Sequence, residues 1–304
     1  MVANNTVDGK LLAMPWFTEA GLLYYRKDLL EQYHRPVPKT WEEMTSTAKV
    51  IQTAERAKGR KNLWGYVFQG KAYEGLTCNA SEWIASYNGG NFIESDGLVS
   101  INNPQAAKAL DQAASWIGTI SPKSTLDMTE EDARAQFQEG NAVFMRNWPY
   151  AWSLARMDSS VIKNKVGVAP LPQGGADGQH AASLGGWGLA VSKYSKHPNE
   201  AADLVLFLTS EQAQKNRAIT GAYNPTIPAL YHDGDVLNAS PLFGELLEVF
   251  NHAVARPSTV TGAQYNEASE IIQNATHAVL EHQLSGAQAV QQMEEDLSSI
   301  GFQR

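Results

Sequence analysis

The sequence predicts an α/β fold made of two domains. Strand-like apolar runs alternate with segments of helical periodicity along most of the chain. Several helical segments open on Ser, Thr or Asn and close on Gly, the residues that satisfy helix ends. The length of 304 residues, with 43% hydrophobic content, exceeds the roughly 100–200 residues of an ordinary domain.

Taken in order, the run Lys10-Leu11-Leu12-Ala13-Met14 reads as a strand. Pro15 follows, then a second apolar run over 22–25 that ends at Arg26-Lys27-Asp28. Two strands joined by a polar turn are expected, with Phe17 and Glu19 in the turn. Thr40-Trp41-Glu42-Glu43 fits a capping box that opens a helix to about residue 57, ended by Gly59. Residues 64–68 read as a strand and 81–87 as a helix stopped by Asn88-Gly89-Gly90. Asn103-Pro104 supplies the cap and first residue of a helix carrying Ala107, Leu110, Ala114 and Ile117. Thr129 opens another with three acidic residues in its first turn, where the helix dipole favours them, and Gly140 closes it before a strand over 142–146.

After a strand over 166–170, the turn-rich Gln173-Gly174-Gly175-Ala176-Asp177-Gly178 is the best candidate for a passage between lobes. A strand over 188–191 leads to a helix that starts at Pro198 and is expected to bury Ala201, Leu204, Val205 and Leu208 before Ser210 caps the next. Val290, Met293, Leu297 and Ile300 recur at helical spacing, so the chain finishes on an amphipathic helix ended by Gly301.

Composition removes several functions. A net charge of −8 argues against nucleic acid and anionic membranes, whose phosphates demand clustered Lys and Arg. The longest apolar stretch, 204–208, falls far short of the roughly 20 residues that span a bilayer. Cys78 is the single cysteine, so an internal disulfide and a thiolate metal cluster are excluded. No secretory signal follows Met1, which leaves a cytoplasmic protein, a mature form or a fragment.

Catalytic patterns are equally scarce. There is no G-x-S-x-G elbow, and the glycines at 174, 175 and 178 and at 185, 186 and 188 match neither a phosphate loop nor a dinucleotide fingerprint and read as turns. The seven histidines show no H-E-x-x-H spacing. Glu42-Glu43, Glu130-Glu131 and Glu294-Glu295 could suggest glycosidase acid and base groups, but each pair lies in a helical pattern and reads as a solvated surface. No catalytic residue, metal or cofactor is assigned.

The aromatics are what is left. Trp41, Trp64 and Trp116 fall on helix or strand patterns and read as packing residues. Trp148 and Tyr150, in Asn147-Trp148-Pro149-Tyr150, and Trp187, in Gly185-Gly186-Trp187-Gly188, stand beside Pro or Gly at strand ends. An indole in such a place can lie on the apolar face of a sugar ring while polar neighbours bind its hydroxyls. Arg256, before Pro257, offers fixed donors suited to vicinal hydroxyls or to a salt bridge.

Several segments resemble ABC-importer sugar-binding proteins of the extracellular solute-binding group. They are Val7-Asp8-Gly9-Lys10 through Pro15, Ala20-Gly21-Leu22-Leu23-Tyr24-Tyr25-Arg26-Lys27-Asp28-Leu29-Leu30, Pro38-Lys39-Thr40-Trp41-Glu42-Glu43, Phe137-x-x-Gly140-Asn141-Ala142-Val143-Phe144-Met145 and Gly186-Trp187-Gly188-Leu189-Ala190-Val191-Ser192. The stretch from Glu74 to Ala80 is similar to trehalose and maltose binders in particular.

The resemblance implies a two-lobed, type II periplasmic-binding-protein-like receptor that binds a disaccharide between its lobes and hands it to permease subunits in the membrane. It is then no enzyme, does not itself span the membrane, and belongs in the periplasm or on a lipid anchor outside the cell. The ligand-binding positions would be Phe17, Glu19, Glu74, Trp83, Trp148, Tyr150, Gly186, Trp187 and Arg256. Where several relatives have Tyr and Asp, this chain has Phe17 and Glu19. About a hundred residues that open family members are not in this sequence, so the chain is expected to be truncated and its first lobe incomplete. Lobe 1 would hold 1–24 and 171–228, and lobe 2 would hold 25–170 and 229–304. The rivals are a carbohydrate-active enzyme and a receptor of the same fold for a polyamine or oligopeptide.

Overall fold

The computed structural model describes residues 1–7 and 9–304, so Asp8 of the Val7-Asp8-Gly9-Lys10 motif lies outside the described residues. Their strands are β1 (Thr6–Val7), β2 (Lys10–Leu11), β3 (Met14–Ala20), β4 (Leu22–Arg26), β5 (Trp64–Val67), β6 (Ala142–Asn147), β7 (Val166–Pro170), β8 (Ala182–Leu189) and β9 (Ala253–Val254). The chain divides into two compact units, one of Met1–Ala20 and Leu184–Ala255, the other of Gly21–Ser183 and Arg256–Arg304. Each combines a sheet with helices, as the alternating pattern predicts.

In the larger unit the sheet order is β5-β6-β4-β7. β5 runs parallel to β6, while β4 is antiparallel to both β6 and β7. Helices cover the sheet, and their starts follow the predicted caps. Thr40 accepts a hydrogen bond from the Glu43 amide at 3.1 Å, and Glu43 turns back to the Lys39 amide at 2.8 Å. Asn103 caps the helix Pro104–Trp116, Thr129 and Asp132 form a capping box at Glu130–Gln138, and Ser285 and Gln288 form another at Gly286–Ser299. The helix Glu74–Ser86 starts seven residues before the expected 81 and is buried on every side from Gly75 onward. A helix wholly surrounded by protein shows no amphipathic stripe, and its start is therefore faint in the sequence.

The core of this unit is aromatic. Trp41, Tyr66, Phe68, Trp83 and Trp116 are all buried, with ring centroids 5.2–6.2 Å apart along the cluster. Such tilted and edge-on pairs are the arrangement that ring quadrupoles favour. Two indoles also satisfy their N–H groups, Trp41 on Ser86 Oγ at 2.9 Å and Trp116 on Thr45 Oγ1 at 2.8 Å.

The smaller unit carries the sheet β3-β8-β9, with the helices Pro198–Thr209 and Phe243–Asn251 packed on β3. Residues 14–20, which include the expected turn, form a strand with a register shift between Pro15 and Phe17. A proline has no N–H for the ladder and is tolerated at such an irregularity. The glycines at 185, 186 and 188 lie inside β8. The helix from Pro198 is present, but Leu204 is 57% exposed together with Leu206 and Phe207, and Thr209 is its buried residue. Helical spacing predicts an apolar face without determining what covers it.

The chain crosses between units at 20/21, 183/184 and 255/256, where 24/25, 170/171 and 228/229 were expected. β4 is hydrogen-bonded between β6 and β7 from Leu22 onward, which holds it in the larger unit. The turn at 173–178 is no passage either. Gln173 exchanges backbone hydrogen bonds with Lys39 and Trp41, and the amides of Gly174 and Gln179 both reach the Ser86 carbonyl at 3.0 Å. Residues 229–255 add helices and β9 to the smaller unit.

Candidate functional site

In the larger unit the candidate residues stand at the end of β6 and at the start of the helix Glu74–Ser86. β6 delivers Arg146 and Asn147, both fully buried. Asn147 Oδ1 accepts the Trp148 amide at 2.8 Å while its Nδ2 donates to the Glu130 carbonyl at 3.1 Å, which fixes the backbone where the strand ends. Tyr24 adds a hydrogen bond to the Trp148 carbonyl at 2.7 Å.

The Trp148 side chain is held at its edge and on one face. Its Nε1 donates to Glu130 Oε1 at 3.1 Å, and the Arg146 guanidinium lies 3.9 Å from the ring centroid. Arg146 is itself locked, with Nε on Glu82 Oε2 at 2.9 Å, Nη2 on Glu82 Oε1 at 2.5 Å and Nη1 on Gln69 Oε1 at 3.2 Å. Burial alone would lower the Arg146 pKa, but the Glu82 carboxylate beside it raises the guanidinium above its ordinary value.

The acidic first turn of the helix Glu130–Gln138 holds three aromatics. Glu130 also accepts from the Tyr73 hydroxyl at 2.6 Å, and Glu131 accepts from the Tyr150 hydroxyl at 2.6 Å while pairing with Arg134. Burial and these carboxylate acceptors push both phenols well above the usual tyrosine range. Glu131 is lowered, first by its bond from Arg134. Glu131 is exposed, as the reading of a solvated pair expects, whereas Glu130 is half-buried; each carboxylate also orients a ring. Only the fold reveals this, because the rings come from residues 18–57 positions away along the chain.

Glu74 opens its helix, where the dipole suits a carboxylate. Its Oε1 accepts from Arg256 and from the Tyr265 hydroxyl, and its Oε2 accepts from Ser269 Oγ at 2.5 Å. Arg256 is three-quarters buried. Burial would lower it, yet the surrounding Cys78, Tyr265 and Glu74 raise it. The third candidate aromatic of this unit, Trp83, is 1% exposed and packs edge-on to Phe68 and Trp116. Its expected contact with ligand is corrected to a packing role, since its helix is buried all round.

In the smaller unit Phe17, Glu19, Gly186 and Trp187 meet across one strand pair, with Phe17 opposite Trp187, Thr18 opposite Gly186 and Glu19 opposite Gly185. Trp187 is 63% exposed and lies within β8 rather than at its end. Phe17 is buried beneath it, with centroids 6.4 Å apart, and Tyr223 meets Phe17 edge-on at 4.9 Å. Gly186 has φ +110°, and a β-carbon there would fall 2.3 Å from the Phe17 carbonyl oxygen. Its place in the candidate set is therefore a backbone requirement. A separate cavity of this unit, lined by Val2, Pro15, Tyr231, Leu247 and Phe250 among others, includes none of the predicted site residues.

Sequence reasoning missed Tyr73, Glu130, Glu131, Arg146, Tyr223, Tyr265 and Ser269. Among the described residues no cluster of three or more His, Cys, Asp and Glu could hold a metal, and no helix is long and apolar enough to cross a membrane.

Fixed aromatic faces bordered by hydrogen-bonding groups define a small-molecule binding protein. The family model of the bacterial extracellular solute-binding proteins matches residues 2–215, and the chain belongs to that family. A probable ABC transporter-binding protein of Deinococcus radiodurans is 51% identical over 301 residues, covering 99% of this chain and 71% of the relative. The maltodextrin-binding protein MdxE of Bacillus subtilis is 32% identical over 201 residues, 64% of this chain and 45% of MdxE. Among solved structures, maltose-bound MalE3 of T. maritima superposes with a TM-score of 0.90 at 44% identity, over 98% of this chain and 75% of MalE3. The fold is thus that of the type II periplasmic sugar-binding proteins.

Proposed function

We propose that the protein is the sugar-binding component of an ABC importer, which takes up a neutral disaccharide outside the cytoplasm and delivers it unchanged to a membrane permease. The likeness to maltose-bound MalE3, at a TM-score of 0.90 and 44% identity, carries this reading. The two units serve as the receptor's lobes. Trp148, Tyr150, Glu74 and Arg256 of one, with Phe17, Glu19 and Trp187 of the other, take part in recognising the same ligand. Indole faces bind the non-polar side of the sugar, and Glu19 and Arg256 bind hydroxyls.

No catalytic step belongs to this reading. A glycosidase requires one carboxyl to donate a proton and another to act as nucleophile or base. Glu74, Glu130 and Glu131 instead accept hydrogen bonds from Tyr, Trp, Ser or Arg, an arrangement suited to fixing side chains.

Calorimetry with maltose, trehalose, sucrose and mannitol tests the proposal, using this chain and a version extended at its N-terminus to the length of the Deinococcus relative. Heat from a disaccharide, with no monosaccharide released on incubation, is the expected outcome. Absence of heat from every sugar with both proteins would reject it.

A further inference from the structure

The Arg146 and Glu82 side chains are both 0% exposed, so this is an ion pair taken entirely out of water. Such a pair adds little net stability over apolar packing and costs much to break. Its retention in the larger unit therefore calls for a reason beyond stability, and three contacts supply one. The Arg146 guanidinium covers one face of the half-buried Trp148 at 3.9 Å. Glu82 Oε1, besides binding Arg146, accepts the Ser183 amide at 3.0 Å. Gly21 packs so closely on the same carboxylate that a β-carbon there would fall 2.0 Å from Oε1.

We infer that Arg146, locked by Glu82 and Gln69, is a positioning residue for Trp148: it covers one indole face and presents the other to ligand. The inference rests on the sugar-binding reading for the ligand's identity, but the placement of the ring does not. The guanidinium suits this task because its planar fork takes the carboxylate edge-on while its flat face stacks on the ring. Glu130, bonded to the indole Nε1, fixes rotation about the remaining axis. The same carboxylate of Glu82 also holds Ser183, the last residue before the chain leaves this unit, so one buried pair secures both the ring and that exit.

The protein labelled with 5-fluorotryptophan has eight indole resonances by ¹⁹F NMR, and the one lost in Trp148→Phe belongs to Trp148. In Arg146→Lys, which keeps the charge but not the planar fork, the Trp148 resonance is expected to move and broaden while those of Trp41 and Trp116 stay in place. The maltose Kd should rise roughly tenfold, because the indole face that meets the sugar is no longer held in place. A lower melting temperature with an unmoved Trp148 resonance and unchanged Kd would make Arg146 merely structural and overturn the inference. Should Arg146→Lys not fold, the wild type decides. The Arg146 Nε–H proton is then expected to be shifted upfield by the indole ring current and to return in Trp148→Leu; no such shift overturns the inference. If the wild type binds no sugar, the proposed ligand fails while the resonance test of Arg146 still stands.

Discussion

A β-carbon on Gly21 would meet Glu82 Oε1 at 2.0 Å and Arg146 Nη2 at 2.8 Å. Gly21 joins β3 to β4, so the absence of a side chain at this junction lets the backbone close over a buried ion pair. The carboxylate cannot swing aside, because Arg146 and the Ser183 amide hold both of its oxygens. Gly21→Ala is expected to cost about 3 kcal/mol, as in breaking a buried pair, read as a lower urea midpoint with an unchanged slope. A loss under about 0.5 kcal/mol would mean that the pair tolerates displacement.

Gly186 is constrained differently. Its φ of +110° and the Phe17 carbonyl 2.3 Å from a would-be β-carbon leave no room between β3 and β8. Gly186→Ala should destabilise the protein by roughly 1–3 kcal/mol and weaken sugar binding through displaced Phe17 and Trp187. Equilibrium unfolding and calorimetry on the same variant check both parts.

Trp83 and Trp187 should respond in opposite ways to the same substitution. Trp83 is 1% exposed inside the aromatic core, and Trp83→Ala should cost about 3–5 kcal/mol. Trp187 is 63% exposed, so Trp187→Ala should change stability by no more than about 0.5 kcal/mol while reducing sugar affinity. Melting curves paired with calorimetry separate the two roles.

Glu55 links stability to acid. Burial would raise its pKa, but hydrogen bonds from Tyr33, Arg60 and Lys58 hold it down at about 2, against an ordinary 4.5. A depressed folded pKa means that the contribution is fully present above 4.5 and is lost as pH falls towards 2. Lys58 and Arg60 are 56% and 39% exposed, so screening limits the effect to about 1–2 kcal/mol. Glu55→Gln should flatten the stability profile across that window, as measured by urea unfolding from pH 5 down to 2.

The sequence alone determined what depends on neighbours a few residues apart. Thr40, Asn103, Thr129, Ser210 and Ser285 start helices, although Ser285 was not singled out beforehand, because a cap bonds to an amide two or three residues on. Gly59, Gly140 and Gly301 adopt positive φ where helices end, and periodicity placed the strands at 64–67 and 142–147 and the helices from 41, 104, 130, 198 and 286. The Trp-Pro-Tyr segment after β6 was legible for the same reason.

Tertiary structure alone decided that, of the candidate site aromatics, Trp83 is core and Trp187 is surface. Trp83 and Trp187 differ by what packs on them, and a residue's own flanks do not encode that. It also decided that 173–178 is stitched to its unit, that the helix from Pro198 leaves Leu204 exposed, and that Glu130, Glu131 and Arg146 hold rings. Partners such as Arg146 and Glu82 stand 64 residues apart. Local pattern cannot carry such a pairing, since it exists only once the chain has folded back on itself.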